Sequence, residues 1–118
     1  MVMPSSMRQS FKEAIDFVRT ISAYFLQENV RWSIKEHIEY VEVSYSYMGQ
    51  SDDEDFFSVA NVDDVWEVAH ATQYLAYLFI EVFTEHLDTR DEALFNTLRE
   101  SAEVAGTVVA YFNRAGMN

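Results

Sequence analysis

A chain of 118 residues that places its one proline at position 4 and holds only three glycines, Gly49, Gly106 and Gly116, has few means of turning sharply. Tight turns draw on glycine for positive φ and on proline for a preset φ. An all-β domain needs such a turn about every 8–12 residues. The shortage therefore predicts a few long helices joined by a small number of connections. Apolar residues make up 49% of the chain and aromatics 15%, which is enough to fill a core and excludes disorder along the whole length. The length suits one domain over residues 1–118, burying roughly two-thirds of the surface its unfolded chain exposes.

Periodicity locates the helices. Met7, Phe11, Ala14, Val18, Ile21 and Phe25 recur at steps of 4, 3, 4, 3 and 4, an amphipathic helix starting at Ser5 or Ser6. Ser6 with Gln9, Ser33 with Glu36, Ser51 with Glu54 and Thr89 with Glu92 have capping-box spacing. The phase is lost at Gln27–Trp32, which predicts a break near residues 29–33. From Asp63 to His86, Val65, Val68, Ala69, Thr72, Leu75, Ala76, Phe79, Val82 and Phe83 share one broad face. Asn61 or Asp63 is the candidate cap of that helix. Leu94, Leu98, Ala102, Ala105, Val108, Val109 and Phe112 line a last helix, where Ser101, Ala105 and Gly106 are small enough for a neighbour to approach closely. Gly116 is a candidate stop.

Two stretches are ambiguous. Within residues 33–48, Ile34, Ile38, Val41, Tyr45 and Met48 fit a helix, whereas Val41, Val43, Tyr45 and Tyr47 alternate as in a strand. A strand there has only residues 55–60 to pair with, and an isolated hairpin is weak. The all-α bundle of three to four main helices plus a short helix is therefore preferred, with an α+β fold carrying a hairpin at 40–48/55–60 as the alternative. The second stretch is Gly49–Phe57, GQSDDEDFF. Ser51 and Glu54 predict a helix start there, with Asp52, Asp53 and Glu54 in the first turn, where carboxylates meet the positive end of the helix dipole.

Charge bears most directly on function. Eight basic residues face twenty acidic ones, a net charge of −12. Residues 49–118 carry three arginines and fourteen acids. Such a field repels nucleic acid and anionic lipid and attracts a basic partner, although acidity also serves solubility alone. The absence of cysteine excludes disulfides and thiolate metal sites. The first ten residues have no apolar core of signal-peptide length, and AYLFIEVF is too short to span a bilayer, so a soluble, cytoplasmic protein is expected.

Several motifs bear on catalysis and fall short of it. Glu67 and His70 form one E-x-x-H pair, whereas di-iron bundles use two with two further carboxylates. His37 and His86 lie near apolar positions with nothing to bring them together on a metal. Glu36, Glu39 and Glu42 with Glu85-x-x-Asp88 match the Mg²⁺ motifs of all-α nucleotide pyrophosphohydrolases only in part and at poor spacing. Arg31 and His37 have a spacing found in some helical ribonucleases, but the acidic chain suits no RNA substrate. No phosphate loop or nucleophile elbow occurs. No enzyme activity, cofactor or metal is expected.

Glu67, His70, Ala71, Tyr74, Tyr77, Leu78, Glu81, Glu85 and Asp88 share the outer stripe of the 63–86 helix. Tyrosines with charged rims are typical of protein interfaces. If residues 33–48 are helical, Tyr40, Val43 and Tyr47 form a second such stripe. The expected function is an acidic protein-binding module, of the inhibitor or immunity type known from phage anti-defence and antitoxin systems. Its target would be a basic surface, such as that of a nuclease or another DNA- or RNA-binding protein, with no nucleic acid or membrane bound directly. The interface residues expected are Asp52, Asp53, Glu54, Asp55, Glu67, Tyr74, Tyr77, Leu78, Glu81, Glu85 and Asp88. The alternative is a homo-oligomer, such as a homodimer, burying the tyrosines against a second copy; a metal-dependent helical hydrolase ranks third.

Overall fold

The computed structural model describes residues 3–53, 56–59, 62–86 and 92–114. Over these the chain forms α1 (Ser5–Phe25), α2 (Ile38–Met48), the single turn α3 (Phe56–Val59), α4 (Val62–His86) and α5 (Glu92–Arg114). Two 3₁₀ turns, Arg31–Ile34 and Gly49–Asp52, flank α2. No strand occurs among the described residues, so the hairpin alternative at 40–48/55–60 is overturned: residues 40–48 lie in α2 and 56–59 in α3. The β-prone composition of 41–47 yields because Val41, Ser44 and Met48 bury one helical face. Tertiary burial outweighs local propensity here.

Ring contacts and shared cavities set the directions of the helices. Phe25 at the end of α1 stacks on Phe79 (centroids 4.8 Å) and meets Phe83 edge-on (5.1 Å), and Phe83 contacts Phe95 near the start of α5. Met7 and Ser10 line a cavity with Val104 and Thr107. Tyr40 of α2 lies against Tyr74 of α4, whereas Tyr45, farther along α2, lies under Arg19 of α1. Thus α1 and α4 run one way and α2 and α5 the other, an up-down-up-down bundle. The molecule is 41 Å long and 26 Å across. Its length follows from α4, whose 25 residues span about 37 Å. All nine positions expected on the inner face of α4 are buried, and Phe11, Val18, Phe25, Leu98, Ala102, Val108 and Phe112 complete the core from α1 and α5. Buried hydroxyls bond back along their own helices, Ser22 to the Val18 carbonyl (2.8 Å) and Thr72 to that of Val68 (2.7 Å). Among the described residues no helix is long and apolar enough to cross a membrane.

The serine caps do not form as predicted. α1 starts at Ser5 behind Pro4 with no side-chain cap, and Gln9 donates to Glu13 (3.1 Å). Ser33 and Ser51 sit inside the 3₁₀ turns, where their hydroxyls donate to the carbonyls of Val30 (2.7 Å) and Met48 (2.8 Å). α2 consequently starts at Ile38 and the break reaches from Leu26 to His37. α3 starts at Phe56, not Asp52. Asn61, Thr89 and Gly116 lie outside the described residues.

The close approach expected at Gly106 is against Gln73. A Cβ at Gly106 would lie 2.6 Å from Gln73 Nε2, the movable end of a side chain. Gly106→Ala gains helix propensity of about 0.5–1 kcal/mol and displaces that amide. The full gain is expected in a Gln73→Ala background, read from urea midpoints. A loss of stability in that background would mean that backbone, not the Gln73 tip, sets the contact.

Candidate protein interface

The acidic run is divided by the fold. Asp52 accepts both its hydrogen bonds from Arg19 Nη1 of α1 at 2.8 Å, and Lys12 Nζ stands 3.8 Å from it. Lys12 also donates to the Ser51 carbonyl (2.9 Å) and pairs with Asp16 (3.4 Å). Arg19 in turn lies over the Tyr45 ring. Asp52 therefore fastens the Gly49–Asp52 turn to α1, and its charge is balanced within the molecule. Asp53 is exposed beside it, and Glu54 and Asp55 lie outside the described residues, as does Asp88.

The outer side of α4 separates into two parts. Glu67, His70, Tyr74, Tyr77, Glu81 and Glu85 are exposed, with Tyr74 at 40% and Tyr77 at 55%. Leu78 does not belong with them: at 5% exposure it is buried, and Ala71 is buried as well. Leu78 shares a groove with the Arg31–Ile34 turn, which folds back over this part of α4. Beside α4, the second stripe on α2 is exposed at Tyr40, Val43 and Tyr47. The stripes meet where the Tyr40 and Tyr74 rings lie 4.5 Å apart. Neither α2 nor α4 contains a lysine or arginine, while together they carry Glu39, Glu42, Asp63, Asp64, Glu67, Glu81 and Glu85.

Partial burial raises the Tyr40 hydroxyl above the ordinary tyrosine value of 10.0, and Tyr74 and Glu67 push it the same way, against a hydrogen bond with Ser44 that lowers it. The protonated form is thus favoured in the folded state. Its contribution to stability is complete below pH 10.0 and falls as pH rises through the raised folded value. In an alkaline ultraviolet titration, Tyr40→Phe is expected to remove a component titrating above the ordinary tyrosine range. An unchanged profile would contradict this environment.

The groove between the Arg31–Ile34 turn and α4 has a volume of about 340 Å³. Ile34, Leu78 and Val82, all buried, form its apolar side; Trp32, 57% exposed, and His37 also line it, as do Glu36, Glu81 and Glu85. Trp32 lies in the polar connector where the helical phase was lost, a large aromatic in a segment with no core periodicity. That was the one sequence signal for this groove.

Of the catalytic motifs, Glu36, His37 and Glu85 line the groove together, while others are engaged elsewhere. His70 stacks on Trp66 (centroids 5.0 Å). Arg31 donates through Nε to the Leu26 carbonyl (2.8 Å) and pairs with Glu42 (3.6 Å). Among the described residues no three His, Asp or Glu side chains gather as a metal site. What remains is an anionic face of two antiparallel helices with tyrosines along it. No protein-family model, curated protein or solved structure matches this chain.

Proposed function

We propose that the chain is a non-enzymatic, cytoplasmic protein-binding module that engages a basic partner through the α2–α4 face. The observation that carries this reading is the pairing of exposed Tyr40, Tyr74 and Tyr77 with two helices that hold seven carboxylates and no lysine or arginine. Tyrosines supply rigid contact area, and carboxylates steer a cationic surface and reject anionic ones. The partner class that fits is a basic nucleic-acid-binding protein such as a nuclease, whose phosphate-binding groove the carboxylates would occupy. Inhibitor or immunity protein is the concrete form of the reading. Asp52 is not counted in this face, because Arg19 and Lys12 hold it. The second reading, a homodimer through the same tyrosines, meets a charge obstacle. A two-fold contact would set these helices against their own copies, and the cations beside them, Arg31 paired with Glu42 and Lys35 in the groove, are too few to offset seven carboxylates on each side.

The test is capture from native-cell extract on the immobilised protein. Basic proteins are expected to bind at low ionic strength and to be released toward about 0.5 M salt as screening removes the steering field. Tyr77→Ala is expected to weaken the contact about tenfold. Salt-independent capture, or capture indifferent to Tyr77, would sink the reading. Self-association in light scattering that Tyr77→Glu abolishes would favour the homodimer.

A further inference from the structure

We propose that the groove between the Arg31–Ile34 turn and α4 receives an arginine side chain of the basic partner. The guanidinium stacks on Trp32 and donates to Glu36 and Glu81. This rests on the α2–α4 reading and adds to it a defined subsite and the residue type that fills it.

The groove has an apolar side, an aromatic wall and an acidic rim, and each selects for a different part of one side chain. Its volume, about 340 Å³, is at the lower end of the range for small-ligand pockets, roughly 300–1,000 Å³. Ile34, Leu78 and Val82, at 1%, 5% and 5% exposure, close the floor of the groove, and the exposed Trp32 supplies the apolar surface along which a methylene stem can lie. The indole of Trp32 is more than half exposed, its Nε1 donating to the Asn29 carbonyl at 3.2 Å. A cation over an indole face is attracted by the ring quadrupole, and a planar guanidinium stacks there while its edge donors remain available. Glu36 and Glu81, from the two sides of the groove, supply acceptors for those donors. Lysine would fill the groove less well, because its compact, strongly hydrated ammonium neither stacks nor forks between two carboxylates. Lys35 also lines the groove and opposes a cation, but three carboxylates, Glu36, Glu81 and Glu85, line it as well. A bare metal ion is a poor occupant, since no three ligating groups gather among the described residues.

The probe is N-acetyl-arginine methylamide, titrated at low salt into ¹⁵N-labelled protein while the Trp32 indole N–H resonance is followed, with Trp32→Phe to assign it. A saturable shift at Trp32 is expected, with little change at Trp66. The isosteric neutral N-acetyl-citrulline methylamide should bind about fivefold more weakly, having lost the cation. Glu81→Gln, on an exposed side chain, should weaken the arginine probe about threefold. Equal shifts with citrulline, no saturable shift at Trp32, or an unchanged titration in Glu81→Gln each overturn the proposal. The wider reading is tested separately. If Trp32 does not respond while capture of basic proteins still depends on Tyr77, the groove is not the subsite and the face stands. If Trp32 responds as expected and capture ignores Tyr77, the groove binds arginine without that face.

Discussion

Phe25→Ala is expected to destabilise the domain by about 3–5 kcal/mol, the range for truncating a fully buried phenylalanine. Phe25 has no exposed surface, and its ring is stacked on Phe79 at 16° and 4.8 Å with Phe83 edge-on at 5.1 Å. Phe83 passes the contact to Phe95, so this ring cluster links α1 to α4 and, through Phe83, α4 to α5. Alanine leaves a cavity between α1 and α4, where Phe79 and Phe83 both lose the ring they pack on. A domain of this size has about 5–15 kcal/mol of stability in all, and the loss is a large share of it. At about 4 °C per kcal/mol for a chain of this length, Tm should fall by about 12–20 °C. Tyr77→Ala, which removes an aromatic ring of similar size from an exposed position, should stay within about 0.5 kcal/mol. That contrast separates the buried aromatics from the exposed ones, and it makes Tyr77→Ala a clean variant for the binding experiment. A Phe25→Ala protein within about 1 kcal/mol of wild type in urea unfolding would mean that the ring cluster does not close the core.

The long helices were legible because their signal is repetitive. On α4 every inner position recurs at helical spacing over 25 residues, so an error at one position does not change the face. The seams of α1 and α5 were readable for the same reason, although Ile15, Ser22 and Phe95 are buried beside the residues that marked them. The connectors carried no such redundancy. A serine hydroxyl can donate back to the carbonyl three residues earlier as well as accept from an N–H ahead, and at Ser33 and Ser51 the first arrangement prevails. By helical angle alone, Leu78 groups with Tyr74 and Tyr77 on the outer stripe. Its burial depends on where the Arg31–Ile34 turn folds back, a tertiary event that the spacing within α4 does not encode. The partner of Asp52 was hidden by distance along the chain, since Arg19 lies 33 residues earlier.

That distant pair leads to the second large effect. Asp52→Lys is expected to cost about 2 kcal/mol, or about 8 °C in Tm, while Glu103→Lys, the same change of charge on an exposed position of α5, should cost nothing measurable. The reasoning turns on what surrounds the carboxylate. Asp52 is 59% exposed, which argues for a small value, as for surface ion pairs in general. Its partner is less exposed: the Arg19 side chain is 22% exposed, lies over Tyr45 and has its Nε buried without a hydrogen bond among the described residues. Arg19 therefore depends on Asp52 for its charge-assisted bonds, and removing the acceptor leaves a partly desolvated guanidinium. Lysine at position 52 adds a third cation beside Arg19 and Lys12, and Lys12 is tied to the Ser51 carbonyl, so it cannot withdraw without releasing the turn. Asp52→Asn keeps an acceptor and should lose about half as much, consistent with a charged hydrogen bond discounted for exposure. The order Glu103→Lys, Asp52→Asn, Asp52→Lys in urea midpoints at low salt would place the first aspartate of the acidic run in the folding of α1 against the Gly49–Asp52 turn. A gain in stability on Asp52→Lys, as expected if the only relevant effect were relief of the net charge of −12, would show that long-range repulsion outweighs the local pair.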